Sequence, residues 1–119
     1  MCTNSLNVSE NYMSHKHITV AEILIDIEKE LRELRLWEFE SPPEEALAST
    51  QPFAIDTLNF PQWLQFIFIP RLYFMVEQGL PLPRVSGVKP MAEEYFGVLS
   101  LNSAALIMHL DAMDKLLTE

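Results

Sequence analysis

The chain has one cysteine, Cys2, three glycines, and eight basic residues against seventeen acidic ones. A lone cysteine excludes an internal disulfide and a cysteine-based zinc site. Such sparing use suits a reducing cytosol. Three glycines leave too few for a glycine-rich phosphate loop. The formal net charge of −9 argues against a direct grip on nucleic acid, which needs clustered Lys and Arg to displace phosphate counterions. It also disfavours anionic membrane surfaces, while suiting a basic protein partner or simple solubility. The first residues lack the basic start and apolar run of a signal peptide. The longest apolar stretch, 60–76, is shorter than the roughly 20 residues of a span and contains Gln62, Gln65, Pro70 and Arg71. His-Glu-x-x-His and nucleophile-elbow patterns are missing too.

What is present is apolar residues, 49% of 119. That is enough for one domain with a packed core, burying roughly two thirds of its unfolded surface. They concentrate in residues 59–79. Asn59 is suited to cap a helix there, Pro61 to occupy its first turn, and Gly79 to take the left-handed position after it. Leu58 and Trp63 are placed for a hydrophobic staple. The helix is apolar nearly all round, through Trp63, Phe66, Phe68, Ile69, Leu72, Tyr73 and Phe74. Such a helix belongs at the centre of a fold, or offers part of its surface to a partner. Pro70 lies in its interior and predicts a kink.

The rest of the chain reads as helices packed on that element. Residues 1–17 are polar and predict a flexible tail, with two histidines, His15 and His17, that more often bind nothing than a metal. Thr19 to Glu22 form a capping box, and Ile18 with Ile23 a staple, for a first helix. Its stripe is Val20, Ile23, Leu24, Ile27, Leu31 and Leu34; its outer face is charged, with Glu28 and Arg32 four apart. Leu36, Trp37 and Phe39 are expected to fold back on the core. Ser41 to Glu44 predict a short helix over 43–49 that Pro52 terminates. Pro90 predicts a helix over 90–99. Ser100 or Asn102 is the expected cap of a last helix, whose stripe is Leu106, Leu110, Met113 and Leu117.

Two positions invite a chemical reading. Arg71 is the one positive charge in the central helix, so it either pairs internally, with Asp56 or Glu77 as the nearest carboxylates in sequence, or opens to a partner. Asp56-Thr57 reads as a turn whose side chains bond to backbone N–H groups. An enzyme using Asp56 would need a second group nearby, and His109 stands at no recognisable spacing from it.

Thr50-Gln51-Pro52-Phe53, Asp56-Thr57, Trp63-Leu64-Gln65 and Ile69-Pro70-Arg71 occur in the order and spacing of the YqcC family of small bacterial proteins. Leu82-Pro83 and Met113 to Leu117 are similar as well. The chain resembles that family over residues 19–117. The resemblance implies an all-α bundle associated with a tRNA pseudouridine synthase of the TruC type. Synthases of that class use an aspartate in an Arg-Leu-Asp motif on a mixed α/β fold. Here the triplet is Arg71-Leu72-Tyr73, without the aspartate.

The expectation is therefore an all-α, four-helix-bundle-like domain over 18–119, with a proline-kinked central helix and one short extra helix. Its expected role is that of a cytoplasmic, non-catalytic partner of such a synthase. Phe53, Asp56, Trp63, Gln65, Pro70 and Arg71 are the expected contact residues. No cofactor, metal, membrane or direct nucleic-acid contact is expected, and a homodimer stays open. The alternatives are a binder of small hydrophobic ligands, with a pocket opened at Pro70, and a free-standing enzyme using Asp56 or His109.

Overall fold

The computed structural model describes residues 14–84 and 86–119, and the regular structure in them is helical. The elements are α1 (His15–Glu33), α2 (Glu44–Leu47), a 3-10 turn (Pro52–Ala54), α3 (Phe60–Trp63), a π segment (Leu64–Phe68), α4 (Ile69–Gln78), α5 (Val88–Phe96) and α6 (Ala104–Thr118). α3, the π segment and α4 follow without a break as one central helix. With α1, α5 and α6 it forms the expected all-α bundle, and α2 is the short extra helix.

α1 packs along α4 and α6, and α5 against α6 and α3. The interface of α1 with its neighbours is built from Val20, Leu24, Ile27 and Leu31, all fully buried. From α6 come Leu106, Leu110, Met113 and Leu117, also buried. Each such side chain stabilises the fold by about 1.5–3 kcal/mol relative to exposure.

Several boundaries differ from the sequence expectation. α1 begins at His15, not Thr19, because Ser14 caps it: its Oγ accepts from the His17 N–H at 3.3 Å. Thr19 instead donates its hydroxyl to the His15 carbonyl, and Ile18 is exposed. His17 is buried, with Nε2 2.7 Å from the Leu80 carbonyl and Nδ1 2.7 Å from Ser14 Oγ. That tertiary anchor explains why the helix reaches back into the supposed tail; residues 1–13 lie outside the described part. Ser41 turns its hydroxyl to the Pro42 carbonyl, so no capping box opens α2. α6 is preceded by Ser103, not Ser100 or Asn102.

α1 ends without glycine. Arg35 takes φ 62°, and the Leu36 N–H donates to the Leu31 carbonyl at 2.9 Å, closing a Schellman-type turn. Leu36 and Trp37 then fold back as expected, with the Arg32 guanidinium 4.4 Å from the Trp37 ring centroid. Phe39 does not, and is 92% exposed. The reason is its neighbour: Glu38 is fixed to the central helix, which turns the next side chain outward.

The central helix starts as predicted. Asn59 Oδ1 accepts from the Gln62 N–H, Gln62 Oε1 accepts from the Asn59 N–H, both at 2.9 Å, and Gly79 closes the far end at φ 64°. Ahead of Pro70 the helix widens. The Ile69 N–H reaches back five residues to the Leu64 carbonyl. Proline offers no N–H and its ring crowds the carbonyl four residues back, and a wide turn relieves that crowding. It also sets which faces are buried. Phe60, Leu64, Phe68, Leu72 and Val76 are all buried at a strict spacing of four. In a pure α-helix that row would rotate by about 160° over its length; the extra residue in the π segment takes back much of the drift.

Candidate functional site

The central helix and the 49–54 loop enclose an open groove of about 690 Å³. Its floor includes Trp63, Phe68, Leu72 and Leu117; its walls include Leu47, Pro52, Phe53, Phe66, Ile67, Pro83 and Ser86. Phe53 meets Trp63 edge-to-face at 4.7 Å, and Trp63 lies 5.1 Å from Phe68. Aromatic pairs at such distances add about 0.5–1.5 kcal/mol beyond area burial and stiffen the groove.

The loop wall is held under backbone strain. Phe53 and Ala54 stand consecutively at φ 58° and 48°. A left-handed conformation costs about 1–2 kcal/mol for each non-glycine residue. Side-chain bonds offset this. Ser49 Oγ donates to Asp56 Oδ1 at 2.6 Å and accepts from the Gln51 N–H at 3.1 Å. Thr57 Oγ1 donates to the Ala46 carbonyl at 2.7 Å. Asp56-Thr57 is thus a turn lock, although its bonds run to a hydroxyl and a carbonyl rather than to N–H groups.

Among the residues lining the groove, Arg71 alone is charged. It is exposed, and neither Asp56 nor Glu77 forms an ion pair with it. The described ion pairs lie elsewhere: Glu28 with Arg32 at 3.0 Å, and Lys89, Asp111, Glu93 and Lys115 around α5 and α6. The internal-pairing alternative for Arg71 is therefore not realised.

Of the six residues singled out from the sequence, the structure gathers Phe53, Trp63 and Arg71 around one groove, with Pro70 exposed beside Arg71. Asp56 does not line it. Gln65 is 6% exposed and committed inward: Oε1 accepts from the Glu38 N–H at 2.9 Å and Nε2 donates to the Glu38 carbonyl at 2.6 Å. Gln62 Nε2 holds the Glu38 carboxylate at 3.2 and 3.3 Å. Sequence reasoning did not assign Ile67 or Ser86 to a site. The spacing of Trp63, Ile67 and Arg71 at fours could have pointed to Ile67; Ser86 arrives from a distant loop and has no local signal.

Among the described residues no group of three or more His, Cys, Asp or Glu could hold a metal. None of their helices is long and apolar enough to cross a membrane. His109 is half-buried on α6 and is not part of the groove. Tyr73 has its phenol pKa pushed up by burial and by Glu28.

Fold and site together define a small all-α bundle with an apolar surface groove that carries one exposed cation. Comparison with known proteins makes this specific. A family model described as tRNA pseudouridine synthase C matches residues 19–116. The chain is 31% identical to the uncharacterized protein YqcC of Escherichia coli over 93 residues, 78% of this chain and 85% of that one. The solution NMR structure of E. coli YqcC superposes with a TM-score of 0.78 at 30% identity, covering 89% of this chain and 91% of that one. The chain belongs to the YqcC family. It is also 45% identical over 65 residues to a protein of Pectobacterium carotovorum named tRNA pseudouridine synthase C, 55% of this chain but 17% of that one. An uncharacterized protein of Haemophilus influenzae is 41% identical over 64 residues, 60% of its length. The match thus spans about a sixth of one of these relatives and three fifths of the other.

Proposed function

We propose that the protein is a non-catalytic, cytoplasmic partner of a tRNA pseudouridine synthase, working by protein–protein contact. The observation that carries this is the Pectobacterium match. A segment 45% identical to this chain forms 17% of a polypeptide named for the synthase. Most of that polypeptide lies outside the match, so a YqcC-like module there shares one chain with other sequence. A module on the same chain needs little intrinsic affinity, since the tether supplies a high effective concentration. A separate module must replace the tether with an interface, and the groove beside Arg71 offers one.

The chemistry of the groove agrees with a binding role. It brings no acid–base pair within reach of a substrate, since Arg71 is its one charged residue. The test is direct. The purified chain and the synthase from the same organism should co-elute as a complex at micromolar concentration, and absence of a complex removes the proposal. One observation favours a second function: a groove of about 690 Å³ is within the size range of small-ligand sites. A hydrophobic ligand retained on the pure chain in native mass spectrometry would favour it.

A further inference from the structure

The groove is more selective than an apolar hollow. In a chain with seventeen acidic residues, its lining contains no carboxylate and one guanidinium, Arg71. Arg32 and Lys115 each meet a carboxylate of their own chain at 3.0 Å. Arg71 has no such partner among the described residues, and it shares its lining with Phe66, Ile67 and Pro83. The same lining holds Ser86, whose Oγ is buried and has no hydrogen-bond partner among the described residues.

The groove has a neighbour. On the other side of Phe53 lies a second hollow of about 450 Å³, lined by Ile55, Phe60, Tyr95, Val98 and others. Ile55 is 65% exposed and Val98 86% exposed. Phe53 is the wall that both hollows share. Two largely apolar hollows that share Phe53, one with the cation Arg71 and the other with Glu94 as its one charged residue, suit a polypeptide better than a compact small molecule.

Building on the partner reading above, we propose that this surface receives a segment of the synthase whose apolar side chains fill the two hollows and whose carboxylate pairs with Arg71. The carboxylate belongs to an Asp, a Glu or the chain terminus. A guanidinium binds it bidentately, and the apolar surroundings strengthen the pair by excluding water. The acidic remainder of the molecule repels carboxylates arriving elsewhere, so Arg71 sets the register of docking.

The experiment uses the full chain and the intact synthase. Affinity is measured for the unaltered protein, for Arg71→Gln and for Ile67→Glu, with circular dichroism and thermal melts confirming that each variant folds. The Arg71→Lys variant is treated with a carbodiimide in the complex, and cross-links are mapped by mass spectrometry. The expected result is a loss of about tenfold or more in affinity for Arg71→Gln, a larger loss for Ile67→Glu, and an amide cross-link from position 71 to a synthase carboxylate. A complex whose affinity neither substitution changes, with no cross-link from position 71, would overturn the groove assignment and leave the partner role standing. Failure of the unaltered protein to bind would remove both.

Discussion

Gln65 gives its side-chain amide to the backbone of one residue, accepting from the N–H of Glu38 and donating to its carbonyl. The amide stands in for a neighbouring backbone, and it fixes the 34–40 segment to the central helix. Removing it would strand two backbone groups at a part-buried site. Gln65→Ala should therefore lower stability by about 1–3 kcal/mol in urea denaturation, with synthase affinity unchanged when measured where the variant is folded. The opposite pattern, full stability with lost binding, would return Gln65 to the interface. Arg71 is its counterpart at this scale. The two side chains are six residues apart on one helix. One is used up inside the molecule, whereas the other has no described partner in it.

Along the central helix, proline and the π segment act together. An interior proline in an ordinary α-helix costs about 3 kcal/mol. Here the turn before Pro70 is already widened, with the Ile69 N–H bonded five residues back. Much of that cost is therefore absorbed by backbone geometry and by the burial row that the wide turn aligns. Pro70→Ala should raise stability by less than about 1 kcal/mol, as read by thermal or chemical unfolding. A gain near the full proline penalty would mean that the widened turn accommodates nothing. α5 shows the same dependence on outside help. The Asp114 carboxylate on α6 accepts from the N–H groups of Val88 and Lys89 at 3.1 and 2.8 Å. A cap from another helix starts α5 at Val88, two residues before the proline that marks it in the sequence.

For the whole molecule, charge and groove have opposite signs. The surface is strongly acidic, with a net of −9, and the groove holds a cation. A partner that is basic overall would be drawn in by the long-range field and then seated by the local pair. Long-range steering is screened by salt, with a Debye length of about 8 Å at physiological ionic strength. Raising sodium chloride should thus slow association with the synthase more than it speeds dissociation, because the seated pair is shielded by apolar walls. Stopped-flow fluorescence across a salt series checks this. An association rate indifferent to salt would show that net charge plays no part in the encounter.

The all-α class, the core stripes of α1 and α6, the cap at Asn59 and the stop at Gly79 were legible in the sequence. Each depends on residues within one or two turns of each other, where periodicity and cap chemistry act. The family was legible too, in the run from Phe53 to Arg71. The start of α1 at His15, the cap of α5 by Asp114, the inward commitment of Gln65 and the isolation of Arg71 were decided by tertiary structure. In each case the deciding atom lies far along the chain: the Leu80 carbonyl for His17, Asp114 for Val88, Glu38 for Gln65. For Arg71 what decides is that no carboxylate lines its groove. Local sequence limits what a residue can do, and long-range packing determines which of those possibilities is left for a partner.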